Sequence, residues 1–264
     1  MLSFSVLGAL EIRTCSGPAE ISGDLQRTLI LTLLVSEGQS VSGESLIDEM
    51  WGDALPENES NALQAHISRL RRKLKLLEPD FPGPRLAIRP SGYRLCLRDG
   101  ELDAVEFIKA VRQAEVLSAD DPIGTAVLLR DALAMWRGPV FGGFTGGPSC
   151  QLARARYEEH RLRAMELCFD AELQLGRHAA VLPELHDAHR NHPLRERFCE
   201  QLMVALYRSG RQADALSSYR LMWQNLSEEL GIEPSPALQR LEHAILSHAP
   251  QLDAEAAMPV PALR

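Results

Sequence analysis

The stretch from Asn61 to Leu97 constrains the fold more than any other part of the chain. It opens with NALQAHISRLRRKLKLL, residues 61–77, meets Pro79, Pro82 and Pro84, and continues as RLAIRPSGYRLCL. At 100° per residue, Leu63, Ile67, Leu70, Leu74 and Leu77 fall within about 80° of one another. Such a stripe must face a core if the segment is helical. Asn61, Gln64, Ala65, Ser68 and Arg72 then point the other way, with Arg69 and Lys75 on the flanks. The prolines cannot continue a helix, and apolar residues at alternate positions on either side of Pro90-Ser91-Gly92 predict a hairpin with that tripeptide at its tip.

Upstream, the pattern supplies what this helix and hairpin pack against. Leu2, Phe4, Val6, Leu10 and Ile12 alternate with polar residues around Gly8, which predicts short half-buried strands joined by a turn. Asp24 is placed to cap an apolar helix, LQRTLILTLLVSEG, that Gly38 ends. Ser42 heads a second helix with Leu46, Ile47, Met50 and Trp51 at helical spacing, and Pro56 marks the turn before the third, from about Ser60 to Leu77. Strands, three helices and a closing hairpin within residues 1–98 describe a winged helix-turn-helix. A sheet before the first helix is the order of response-regulator output domains. Asp99-Gly100 reads as a short linker.

Charge gives this unit a direction. The whole chain carries a formal −8, yet residues 61–98 hold nine basic and two acidic side chains, net +7, between flanks of −8 and −7. A cationic block in an anionic protein fits local contact with nucleic acid, because counterion release depends on charges at the interface and not on the molecular total. The residue types on the outer face of the third helix suit groove reading. Asn and Gln pair with adenine edges, and small Ala65 and Ser68 allow close approach. Base contacts are expected from Asn61, Gln64 and Ser68, with Arg69, Arg71, Arg72 and Lys75 on phosphates or the groove rim. Arg89, Ser91, Gly92 and Arg94 of the hairpin are expected at the neighbouring minor groove or its backbone. His66 reads as a packed neutral imidazole, and Tyr93 as a brace for the hairpin.

From Glu101 onward the periodicity is helical, with helices predicted near 103–118, 122–136, 149–175, 178–191, 194–209, 211–230 and 236–247. Ala171, Gly176, Arg177, Ala179 and Leu182 recur 34 residues later as Ala205, Gly210, Arg211, Ala213 and Leu216. That is the length of a tetratricopeptide unit: a helix, a glycine turn and a second helix. The expected organisation is therefore a winged-helix domain over 1–98, an all-α tetratricopeptide-like domain over 101–250 and a frayed tail over 251–264. The fold class is mainly α with small β.

Other chemistries find little support. GPVFGGFTGG (138–147) lacks the Gly-Lys-Ser/Thr of a phosphate-binding loop and reads as a flexible inter-helix loop. His186, His189 and His192 share a helical spacing but have no completing carboxylate or cysteine pattern, so they read as surface histidines and no metal site is expected. Cys15, Cys96, Cys150, Cys168 and Cys199 are an odd, widely spaced set that suits buried thiols in a reducing compartment better than disulfides. No catalytic residue and no cofactor is expected. No run of ~18 apolar residues is present, and the N-terminus lacks a basic n-region. A cytoplasmic, nucleoid-associated protein without membrane contact is expected.

The stretches FSVLGALEI, VSGESLIDEMWGDALPENESNALQAHISRLRRKL, RPSGYRL, LLRDALAMWRGPVF, AELQLGRHAAVLPEL, HPLRERFCEQLMVALYRSGRQADALSSYR and LSEELGIEPSPALQRLEHAIL together resemble the Streptomyces antibiotic regulatory proteins. The resemblance runs from about Leu2 to Pro250. It implies an OmpR-type winged helix, a bacterial transcriptional activation domain, and binding of direct repeats near the promoter −35 element. It also implies recruitment of RNA polymerase including its sigma factor, two protomers side by side on DNA, and control of a secondary-metabolite cluster. The recognition-helix pattern falls on 61–77 and the wing pattern on 85–97. No Walker motif is present, so nucleotide control does not carry over. A repressor using the same winged helix, or a helical-repeat scaffold for proteins, are the alternatives.

Overall fold

The computed structural model describes residues 2–14, 17–118, 120–249 and 252; the expected tail over 251–264 thus lies outside the described residues, Leu252 apart. Two compact units result, one formed by Met1–Val111 with Ala132–Arg161, the other by Arg112–Asp131 with Leu162–Arg264.

The first unit begins with an antiparallel meander of β1 (Ser3–Ser5), β2 (Glu11–Thr14) and β3 (Gly17–Ala19), in which Phe4 faces Ile12 and Ile12 faces Ala19. Alternation predicted the first two strands; the third, GPA, is too short and polar to show a period. Then follow α1 (Asp24–Val35), β4 (Ser40–Val41), α2 (Gly43–Trp51), α3 (Glu59–Leu77) and a hairpin of β5 (Leu86–Arg89) and β6 (Gly92–Leu95). The second sheet has the order β4-β6-β5. Leu29, Leu33, Leu46, Leu63, Ile67, Leu70, Leu74, Leu86 and Leu95 make the core of this three-helix-and-wing body.

Two local expectations change. Asp24 does not cap α1: the cap position is Gly23, at φ +87 and without a side-chain bond, and Asp24 instead lies in the first turn, where its charge suits the helix dipole. Ser42 does cap α2, accepting the N–H of Ser45 at 3.0 Å.

The Gly-rich segment 138–147 is not a loose loop. It contains a short 3-10 turn, Val140–Gly143, with Val140 and Phe141 buried. The N–H of Arg137 donates to the Leu7 carbonyl at 2.8 Å, and that of Phe141 to Val6 at 3.0 Å. Hydrogen bonding to an otherwise open strand end fixes a segment whose composition alone suggests freedom. On α4 (Asp103–Leu117), the Asp103 carboxylate accepts the N–H groups of Val6 at 2.8 Å and Leu7 at 3.2 Å. Glu49 of α2 accepts the N–H of Ser149 at 2.8 Å, in the first turn of α6 (Pro148–Gln174).

In the second unit, α5 (Pro122–Leu133) stops three residues earlier than its periodicity suggests. The repeat becomes structural in α6, α7 (His178–Asn191), α8 (Glu196–Arg208) and α9 (Gln212–Leu230), followed by α10 (Pro236–Leu246). Gly176 and Gly210 both take positive φ, +72 and +74. The next residue closes the same bond each time, Arg177 N–H to Glu172 O and Arg211 N–H to Leu206 O, both 2.9 Å. This is a Schellman ending, which needs a residue comfortable in the left-handed region, so the repeated glycine has a backbone cause. Phe169, Leu185, Phe198, Leu202, Met222 and Leu226 fill the core between these helices.

The cysteines follow the expected pattern in part. Cys150, Cys168 and Cys199 are buried, while Cys96 is half-exposed on the stretch after β6; Cys15 lies outside the described residues. Burial pushes the Cys150 and Cys168 thiols up to about 11, which keeps them protonated and unreactive.

Candidate nucleic-acid interface

Helix α3 begins at an Asn58 cap whose side chain accepts the N–H of Asn61 at 3.0 Å. Its four leucine and isoleucine anchors, Leu63, Ile67, Leu70 and Leu74, are buried, and Leu77 is half-buried. The opposite side is open: Asn61, Gln64, Ala65, Ser68, Arg69, Arg71, Arg72 and Lys75 are all exposed. Burial of one stripe thus decides what the other presents.

His66 lies between the two faces. Its Nδ1 is 2.9 Å from the Gln26 amide of α1, and its ring packs at a T-shaped angle against Trp51 of α2, with centroids 5.9 Å apart. Partial burial and the Arg69 charge hold it below the usual imidazole range, so it serves as a neutral spacer among three helices.

The wing is fixed by its backbone. Arg89 pairs with Gly92, which leaves Pro90-Ser91 as a two-residue connection. Gly92 has φ +124, and a Cβ there would collide with the carbonyl of Val41. Close approach to β4 therefore requires glycine, and any contact from this residue is through its main chain. Arg89, Ser91 and Arg94 are exposed; Tyr93 is buried, facing Val41 across the ladder. The Gln64 amide donates to the Tyr93 hydroxyl at 2.6 Å. This bond joins the exposed polar face of α3 to the wing, and spacing alone gave no sign of it.

The charge of the block is smaller at the surface than in the sequence. Arg85 is 3% exposed and Glu101, just past the block, is fully buried. The Arg85 guanidinium bonds both oxygens of Glu101 at 2.6 and 2.7 Å and is also paired with Glu78. Arg98 pairs with Glu78 at 3.2 Å, and both guanidinium groups lie over the Phe81 ring, 3.9 and 4.7 Å from its centre. Burial alone would raise Glu101, but the Arg85 bonds and the Arg98 amide outweigh it and hold the carboxyl below its ordinary range. Arg85 is therefore an internal brace, and the exposed Arg98 is engaged with Glu78 and Glu101, so neither is a free cation of the edge. Arg69, Arg71, Arg72, Lys73, Lys75, Arg89 and Arg94 remain, and among the described residues none of these forms an ion pair. Arg71, Arg72 and Lys75 also line a cleft of about 620 Å³ beside Phe81.

Comparison with known proteins places the same two segments in known families. Residues 23–95 match the family model described as "Transcriptional regulatory protein, C terminal", and residues 102–246 match "Bacterial transcriptional activator domain". The chain is 38% identical over 258 residues to the transcriptional regulator RedD of Streptomyces coelicolor, covering 97% of this chain and 74% of RedD. It belongs to the Streptomyces antibiotic regulatory protein family. Within the family, DnrI of Streptomyces peucetius is 33% identical, with 86% of this chain and 85% of DnrI covered. Regulatory protein AfsR of Streptomyces coelicolor is 38% identical over 95% of this chain but only 25% of its own length. A solved structure, Mycobacterium tuberculosis EmbR in complex with a low affinity phosphopeptide, superposes with a TM-score of 0.88 at 31% identity, covering 96% of this chain and 67% of EmbR. The chain is thus a transcriptional regulator built from an OmpR-type winged helix and a helical activator domain. No helix among the described residues is long and apolar enough to cross a membrane.

Proposed function

We propose that this family member is a sequence-specific DNA-binding activator that switches on a secondary-metabolite biosynthesis cluster. The N-terminal end of α3 enters the major groove, where Asn61, Gln64 and Ser68 meet base edges. Arg69, Arg71, Arg72 and Lys75 hold phosphates, and Arg89, Ser91, Arg94 and the main chain of Gly92 touch the neighbouring minor groove or its backbone. The observation that carries this reading is the pairing of an exposed polar reading face with seven cations left free of internal ion pairs. Two protomers lie side by side on direct repeats near the −35 element, about one helical turn apart. Residues 1–98 act as the DNA-binding domain, and residues 101–250 support self-association and contact with RNA polymerase and its sigma factor, in the cytoplasm on the nucleoid.

The test is footprinting of the native promoter followed by transcription in vitro with purified polymerase. An activator protects a repeat and raises transcript yield. Asn61→Ala should cost on the order of 1–3 kcal/mol of specific binding. Protection with reduced transcript would make the protein a repressor, and an unprotected promoter would leave a protein-binding scaffold.

A further inference from the structure

We infer that the cleft between the end of α3 and the segment leading into β5 docks an extended peptide segment of a protein partner, in which acidic and apolar side chains alternate, and that it does so in competition with DNA. The cleft has a volume of about 620 Å³ and lies wholly within the first unit. That volume falls in the range of ligand sites.

Its two walls differ in chemistry. On α3, Arg71, Arg72 and Lys75 are exposed, and among the described residues none of them forms an ion pair. The acid that lines the cleft, Glu78, is held by Arg85 and Arg98, so the charge left free there is positive. The other wall is Pro79, Phe81 and Pro84, with both prolines exposed and Phe81 half-buried. Pro79, Pro82 and Pro84 fix three of the six φ angles in residues 79–84, so this wall is set before anything docks on it. By contrast, in the trough between α7 and α9 the rim charges pair within each helix, and His189, expected at the surface, is 6% exposed.

Spacing and charge together name the occupant. Arg71 and Lys75 stand one helical turn apart, about 6 Å along the axis. In an extended chain, side chains at alternate positions share a side and lie about 6.6 Å apart. Acids at alternate positions therefore meet both cations, while the residues between them face the prolines and Phe81. A duplex satisfies the cations with its phosphates but has no slim apolar side chain to lay against the opposite wall. The competition with DNA rests on the proposed promoter binding, which assigns the same three cations to phosphates; the docking itself does not.

The probe is an acetylated, amidated octapeptide of alternating Asp and Leu, titrated at low salt into the full chain carrying isotope-labelled phenylalanine and followed by NMR. It should shift the Phe81 ring signals. Arg71→Ala and Lys75→Ala should each weaken it roughly two- to fivefold, the range of an exposed ion pair. Replacing its Leu residues by Ser, or two of its Asp residues by Asn, should weaken it roughly tenfold. Promoter DNA protected in the footprint should displace it. The inference is overturned if the peptide leaves Phe81 unmoved at millimolar concentration, if the Ser or Asn peptide binds as well, or if peptide and promoter DNA bind together. Phe81 signals that move with protein concentration alone also overturn it, by assigning the cleft to a second copy of the chain. The peptide titration needs no DNA, so its failure leaves promoter binding untouched, and a failed mobility shift on the same sample leaves the peptide result standing.

Discussion

Two side chains show how a single atom decides a role. The hydroxyl of Tyr93 holds the Gln64 amide at 2.6 Å, so the wing fixes one side chain of the face proposed to read DNA. Tyr93→Phe removes that acceptor while keeping the buried ring. Discrimination between the operator and single-base variants should fall roughly two- to tenfold, the range of a neutral hydrogen bond, with affinity for random DNA unchanged, as measured by competition mobility shifts. His189 gives a pH signature. Its folded-state value lies below the unfolded 6.5, so the unfolded chain takes up the proton first. Its contribution to stability is unaffected well above 6.5 and becomes increasingly unfavourable as pH falls through 6.5 toward the folded value. The groups around it are His186, Asp187 and Arg190 of α7 and Arg211 and Asp214 of α9. Thermal unfolding of wild type between pH 7.5 and 5.5 should lose more than that of His189→Phe; equal losses would show that the imidazole is not buried neutral.

At the level of elements, most of this architecture was legible in the sequence because period and punctuation agreed. The apolar stripe of α3, the prolines after it and the repeated Gly-Arg turns each have a local physical cause. What was hidden depends on contacts distant in sequence. β3 and β4 form only because β2 and β6 offer them open edges, and segment 138–147 is ordered by the Val6 and Leu7 carbonyls. The formal +7 was overread for the same reason. Glu101 stands outside the block in sequence but inside it in space, where it neutralises Arg85. That buried pair closes the wing against the start of α4. Arg85→Met should destabilise the first unit by about 3–5 kcal/mol, because Glu101 keeps a buried charge without its partner. Adding Glu101→Leu should recover much of the loss. Urea unfolding of both variants checks this, and a single replacement costing under about 1 kcal/mol would mean that water reaches the pair.

For the whole molecule, net charge and local charge point in opposite directions. A protein of −8 is repelled by DNA at long range, yet seven unpaired cations gather on α3 and the wing. Binding should therefore be weak away from the operator and steeply dependent on salt at it. On the proposed reading, its strength would rest on phosphate contacts from one edge, and its selectivity on a few polar side chains between them. The salt dependence of operator binding tests this most directly. With about six phosphates neutralised per protomer, log K against log salt should have a slope near −5, and Arg72→Ala should make it shallower by about 1. A slope near zero, or one that Arg72→Ala leaves unchanged while binding persists, would contradict the assignment of this edge to DNA.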